Sequence, residues 1–186
     1  EDTSHNGGDN KTVHTVSCNN TCNNSCKRSG WARDVYLTTA QKKNKKALAI
    51  AKENTALNKL SGRVRCVQAD ALKAPTAFLG KFDMIVSNPP YITTAEMKEL
   101  PGSVKDYEPT LALHGGDDGL DFYRSIADKY RAALKPGGLI CFEFGMGQGD
   151  DVCRILEMNG YTILERSRDY NDRERAVVAQ YGRKEV

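Results

Sequence analysis

The sequence predicts an α/β domain built on an open, mainly parallel sheet with helices on both faces and a C-terminal antiparallel hairpin. Three observations predict it. Apolar runs of strand length alternate with stretches of helical periodicity, turn residues punctuate the alternation, and the chain closes with two strand-like segments around Asp169-Tyr170-Asn171-Asp172. At 186 residues the chain has the size of one domain with a proper core.

The elements follow in order. Residues 1–30 are polar and nearly core-free, with Val13 and Val16 as their aliphatic residues, and are expected to be loosely attached. Residues 31–186 are expected to form the folded domain. Asp34 to Leu37 reads as a short strand, and Ala47 to Leu57 as a helix with Leu48, Ala51 and Leu57 facing inward. Val64 to Val67 alternates as a strand running to Asp70, and Phe82 to Ser87 is the next strand. A long connection, Thr93 to Asp118, is of a length that usually carries function. Leu120 to Leu134 places Phe122, Ile126 and Tyr130 at helical spacing, and Pro136-Gly137-Gly138 ends that helix. Leu139 to Phe144 is an apolar strand, and Asp150 to Asn159 a helix with Val152, Ile155 and Leu156 inward. Tyr161 to Ser167 and Arg175 to Tyr181 form the hairpin. In such sheets ligands bind beyond the carboxyl ends of the strands, where Asp70, Asn88 and Glu143 all fall.

Composition excludes several classes. The net charge of +3 is too small to argue for nucleic acid, and the longest apolar stretches are too short to span a membrane. No charged-then-apolar leader is expected at the N-terminus. Of six cysteines, Cys66, Cys141 and Cys153 read as small core residues in a reducing cytosol, which places the protein in the cytoplasm. Cys18, Cys22 and Cys26 would share a face if helical, but they lack a paired Cys-x2-Cys and an assured fourth ligand, so no metal site is expected. Two Asn-x-Ser/Thr triplets, at Asn19 and Asn23, are short enough to arise by chance.

The stretch around which the chain is organised is Phe82 to Ile92. Its strand stops at Asn88-Pro89-Pro90-Tyr91. Neither proline gives an N–H to a ladder, and each holds its predecessor extended. The strand thus ends in a rigid rim of carbonyls, an Asn amide and an aromatic ring, which suits a planar amide or amino group: the Asn side chain donates and accepts, carbonyls accept from –NH2, and Tyr91 covers one face.

This rim resembles the Asn/Asp/Ser-Pro-Pro-Tyr/Phe motif of the S-adenosylmethionine-dependent amino-methyltransferases. The residues that follow, Asp106-Tyr107-Glu108-Pro109, Leu111-Ala112-Leu113, Gly115-Gly116, Asp118-Gly119-Leu120 and Tyr123, resemble more narrowly the release-factor glutamine N5-methyltransferases. The likeness runs from about Lys46 to Tyr181. It implies a Rossmann-like methyltransferase fold, S-adenosyl-L-methionine as cofactor, and a peptide-chain release factor as protein substrate, methylated on the glutamine of its Gly-Gly-Gln loop. It implies that Asn88, Pro89, Pro90 and Tyr91 form the catalytic rim, and that Asp70, Ala71 and Asn88 border the cofactor. A monomer without direct nucleic-acid contact is expected, and in the family a helical recognition domain precedes the catalytic one.

Two features depart from that pattern. The family's first strand ends in an acid and a Gly-x-Gly-x-Gly loop, whereas Val13 to Cys26 contains neither glycine nor acid; the ribose-binding acid expected between Thr38 and Lys43 is also absent. A non-catalytic amide-binding module is therefore the second reading. A third comes from Glu143-Phe144-Gly145-Met146-Gly147-Gln148-Gly149, which looks like a nucleotide-type glycine loop with Glu165 at ribose-acid spacing. That arrangement would make the chain a permuted DNA amino-methyltransferase. Against it, the segment also matches the Glu-x-Gly-x-x-Gln-Gly of the glutamine-methyltransferase family, and too few strands follow it.

Overall fold

The computed structural model describes residues 13–16, 35–39, 45–101 and 110–182. Their elements are β1 (Val13–Val16), β2 (Val35–Thr39), α1 (Lys45–Leu57), β3 (Val64–Gln68), β4 (Phe82–Ser87), α2 (Thr94–Glu99), α3 (Thr110–Leu113), α4 (Asp121–Lys129), β5 (Leu134–Glu143), α5 (Gly149–Met158), β6 (Tyr161–Arg168) and β7 (Glu174–Tyr181). The strands form one sheet in the order β3-β2-β1-β4-β5-β7-β6. All neighbours from β3 to β5 are parallel, and β7 inserts antiparallel between β5 and β6. The expected α/β class and closing hairpin are both present.

Burial follows the strand period. On β5, Ile140 and Phe142 are fully buried and pair across the ladder with Ala179 and Val177 of β7, also fully buried. Tyr123 of α4 meets Phe142 edge-on, with ring centroids 5.3 Å apart. Its hydroxyl donates to the Glu143 carbonyl at 3.0 Å. The Tyr161 hydroxyl of β6 donates to the Ala127 carbonyl at 3.2 Å, fastening the hairpin to the same helix. Ser125, two residues past Tyr123, donates to the Ala71 carbonyl at 3.0 Å. A single helix thereby fixes the backbone just past β3 and at the end of β5.

Several expectations change. Within residues 1–30, Val13–Val16 is an internal strand, paired with β2 on one side and β4 on the other. Only two aliphatic residues mark it in the sequence, and parallel pairing on both edges makes up for the weak local signal. The cysteine cluster and both Asn-x-Ser/Thr triplets lie outside the described residues.

Pro136-Gly137-Gly138 does not separate helix from strand. It lies within β5 as an irregularity, because β4 advances from Phe82 to Met84 while β5 advances from Leu134 to Leu139. The preceding α-helix ends at Lys129 and passes into a 3-10 turn, Tyr130–Ala133. Leu57, expected inward, is 72% exposed. Nine positions from Leu48, it falls on the opposite face at 3.6 residues per turn, whereas Thr55, seven positions from Leu48, lies on Leu48's face and is buried. Cys153 is buried, whereas Cys66 and Cys141 are half-buried; all three are free thiols. Burial raises the thiol pKa of Cys141 and Cys153 and keeps both protonated.

Burial also raises the Tyr161 phenol above the ordinary tyrosine value. The folded state therefore holds this proton after the unfolded chain has lost it. Its contribution to stability is complete below about pH 10 and falls as pH rises beyond that. Tyr161→Phe should flatten this alkaline decline in urea-unfolding midpoints, at a cost near neutral pH of about 0.5–1.5 kcal/mol for the lost hydrogen bond.

Candidate active site

β4 reads Phe-Asp-Met-Ile-Val-Ser, with Phe82, Ile85 and Ser87 buried. Its parallel neighbours are β1, where Thr15 faces Val86, and β5, where Phe142 faces Ser87. The turn that leaves it therefore stands between the ends of two internal strands. Pro89 and Pro90 are buried, and Asn88 and Tyr91 are half-buried. The Asn88 Oδ1 and the Ser87 Oγ are both shut off from solvent, and neither has a hydrogen-bond partner among the described residues. Buried polar atoms normally find partners, so two adjacent orphans at a strand tip single this turn out as the candidate place for a ligand donor.

The rest of the turn is held from outside. Ile92 donates its N–H to the Leu113 carbonyl at 3.0 Å, and Gly115 returns one to the Ile92 carbonyl at 2.9 Å. Thr93 caps α2 with a reciprocal pair: its hydroxyl accepts from the Glu96 N–H at 3.1 Å, and Glu96 Oε2 accepts from the Thr93 N–H at 2.9 Å. Asp118 accepts from the Leu120 N–H at 3.1 Å and pairs with Arg124, whose guanidinium holds the Asp118 carboxyl below the usual range. That pair steadies the turn carrying Gly119 against the Tyr91 carbonyl. An added Cβ on Gly119 would stand 2.2 Å from that oxygen.

Asp70 follows β3, three strand spacings from β4 (about 14 Å). Its Oδ1 accepts from the Leu72 N–H at 3.0 Å, closing its own turn. Ala71 is fully buried, with its carbonyl taken by Ser125. A ligand touching both Asp70 and Asn88 must cross the tips of β2 and β1. The structure thus puts the predicted residues on one edge of the sheet without bringing them into contact. Asp106 to Pro109 lies outside the described residues.

The permuted arrangement is overturned. A strand feeding a cofactor glycine loop would need the internal position with parallel neighbours on both sides that β1 occupies, whereas β5 has antiparallel β7 on its outer edge. Glu165 sits exposed on the edge strand β6, where its carboxylate accepts from Ser167 at 3.0 Å. Gln148, which sequence reasoning left as part of a motif, instead contacts the rim. Its Nε2 donates to the Tyr91 carbonyl at 3.0 Å. The two residues are 57 positions apart, so no local pattern could have paired them.

This strand order, with the Asn-Pro-Pro-Tyr rim at the tip of β4, defines a Rossmann-like methyltransferase fold. Among solved structures, the chain is similar to a methyltransferase from Pyrococcus furiosus (TM-score 0.64, 15% identity, covering 92% of this chain and 75% of that one). It is similar also to a ribosomal protein L11 methylase from Lactobacillus delbrueckii (TM-score 0.62, 17% identity, 92% and 70%). Residues 31–100 match the family model described as Methyltransferase small domain.

Within that class, the chain is similar to the release factor glutamine methyltransferases. It is 43% identical to the Clostridium acetobutylicum enzyme over 136 residues, 73% of this chain and 48% of that protein. It is 40% identical to the Fusobacterium nucleatum enzyme over 138 residues, 74% and 38%. The chain thus spans about half or less of the length of these relatives. Among the described residues, no helix is long and apolar enough to cross a membrane and no acid, His or Cys cluster could hold a metal ion.

Asn88→Ala tests whether the orphaned oxygen is structural. Removing a buried acceptor that has no partner should leave the melting midpoint unchanged or slightly raised, since an unsatisfied group costs about 1–3 kcal/mol. A clear drop in midpoint would show Asn88 to be part of the folding framework.

Proposed function

We propose that this chain is the catalytic portion of an S-adenosyl-L-methionine-dependent methyltransferase acting on a protein glutamine amide, with the Gly-Gly-Gln loop of a peptide-chain release factor as substrate. The observation that carries this reading is the Asn88 Oδ1, buried and without a partner among the described residues, on a proline-stiffened rim. An amide nitrogen is a weak nucleophile because its lone pair is delocalised into its carbonyl. The Asn88 side chain accepts one substrate N–H and the backbone carbonyls of Asn88 and Pro89 accept at the other, so the –NH2 is held in one plane and one direction. Tyr91 forms the wall that keeps it there. Orientation is then the chief contribution of these residues, and the nitrogen's surplus proton passes to solvent water once the methyl group has left the sulfonium.

When bound, the cofactor supplies an electrophilic sulfonium methyl group. The residues present fit it in part. The second Asp70 oxygen and the Ala71 segment suit its adenine end, beyond β3. For the ribose and methionine ends the donor set is missing from the sequence: no glycine or acid occurs from Val13 to Cys26, and none of residues 40–44 after β2 is acidic. A Cβ on that loop would occupy ligand space, and ribose hydroxyls need a strong acceptor to replace water. This mismatch favours the second reading, an amide-binding module that does not turn over.

Two experiments separate the readings. Asn88→Ala should abolish methyl transfer to a Gly-Gly-Gln peptide, as the lost contact is worth about 2–4 kcal/mol in the transition state. Unchanged transfer by this variant would rule the rim out. Calorimetry with S-adenosylhomocysteine should show binding at least about a hundredfold weaker than a micromolar site, since losing the ribose acceptor alone costs about 1.5–3 kcal/mol. Low-micromolar binding would restore the full enzyme.

A further inference from the structure

Gln148 lies beyond the end of β5, and its amide reaches in two directions. The Gly145 N–H donates to its Oε1 at 3.0 Å, and its Nε2 donates to the Tyr91 carbonyl at 3.0 Å. The Gln148 N–H also donates to the Gly145 carbonyl at 3.2 Å, so the side chain folds back over its own turn. Only a group that both donates and accepts can bridge a carbonyl and an N–H in this way.

The surroundings are closed to anything larger. A Cβ at Gly145 would stand 2.7 Å from the Tyr91 ring and 2.9 Å from Gln148 Oε1, and one at Gly119 would stand 2.6 Å from Gln148 Nε2. At Gly115 it would meet the Pro90 carbonyl at 2.6 Å. The Tyr91 ring thus rests on Gly145, while its carbonyl is aimed at Gln148. These are the two degrees of freedom that set where the aromatic wall stands relative to the Asn88 amide.

The geometry points to Gln148 as a positioning residue: by clasping the Tyr91 carbonyl and the Gly145 N–H across the tips of β4 and β5, it sets the rim's preference for a carboxamide over a carboxylate. The inference rests on the reading of the rim as an amide pocket. It assigns Gln148 no contact with substrate. Its effect passes through Tyr91, whose misplacement lets the amide rotate and lets a carboxylate fit as well as an amide.

Three proteins test it: the full chain, Gln148→Leu and Gln148→Glu. Leucine loses both hydrogen bonds. Glutamate keeps the acceptor for Gly145 but sets a carboxylate oxygen against the Tyr91 carbonyl, so it breaks the clasp on the rim side alone. Affinities for a Gly-Gly-Gln peptide and its Gly-Gly-Glu counterpart are measured by calorimetry, with the exchange rate of the Gly145 amide followed by NMR. The full chain should favour the glutamine peptide, and both variants should lose at least about tenfold of that preference, which corresponds to about 1.4 kcal/mol. Gly145 exchange should quicken in Gln148→Leu and remain slow in Gln148→Glu. If Gln148→Leu does not fold, Gln148→Glu decides alone. Retained preference in a folded variant overturns the role of Gln148 and leaves the amide pocket standing. Absence of preference in the full chain overturns the pocket, and the role of Gln148 with it.

Discussion

Tyr91 is enclosed on three sides at distances that admit no Cβ: its backbone by Gly115, behind Pro90 and Tyr91, and by Gly119 against its carbonyl, and its ring by Gly145. This close approach is the constraint on which the site depends. Prolines stiffen the chain up to Pro90, but they say nothing about where the turn goes next. The direction is set by the Ile92–Leu113 and Gly115–Ile92 hydrogen bonds and by Gln148. The Asp118–Arg124 pair matters for the same reason. At half exposure its direct stabilisation is small, yet it holds the turn from which Gly119 meets Tyr91.

Helix α4 connects this constraint to the core. Tyr123 packs on Phe142 and ties down the end of β5, while Ser125 ties down Ala71 past β3. Lys129 adds a bond to the Leu72 carbonyl. One helix thus fixes the end of β5 and the segment past β3 to each other, and the tips of β2, β1 and β4 lie between them. The site is accordingly a line along one sheet edge. The end proposed to hold an amide lies within the described residues, and the middle would be furnished by the segments after β1 and β2.

Uneven preservation has a physical consequence. On the proposed reading, amide recognition needs acceptors on a stiff turn, which Asn88-Pro89-Pro90-Tyr91 would carry by itself. Cofactor recognition needs close backbone approach and a fixed charge, and both depend on single residue types at single positions. Losing a glycine and an acid can therefore remove one half of a two-substrate site while the other half keeps its shape.

Much of the fold was legible because its signals are local. Strand and helix periods placed β4 at Phe82–Ser87 and the final hairpin within a residue or two, and the two prolines marked the rim without reference to anything distant. The wrong readings arose where the deciding partner is remote. Val13–Val16 has little local strand signal and becomes an internal strand through β2 and β4. Pro136-Gly137-Gly138 looks like a stop and is an irregularity within β5, because β4 continues the ladder past it. By itself the sequence determined the order of the strands from β2 to β7 and the residue types of the rim, since dihedral preference and side-chain type belong to each residue. Only the tertiary structure decided that Asn88 Oδ1 is buried without a partner among the described residues, that the Gly145 loop meets Tyr91 from β5, and that Gln148 reaches Tyr91. Burial and hydrogen-bond satisfaction are properties of the packed neighbourhood, not of the chain's local pattern.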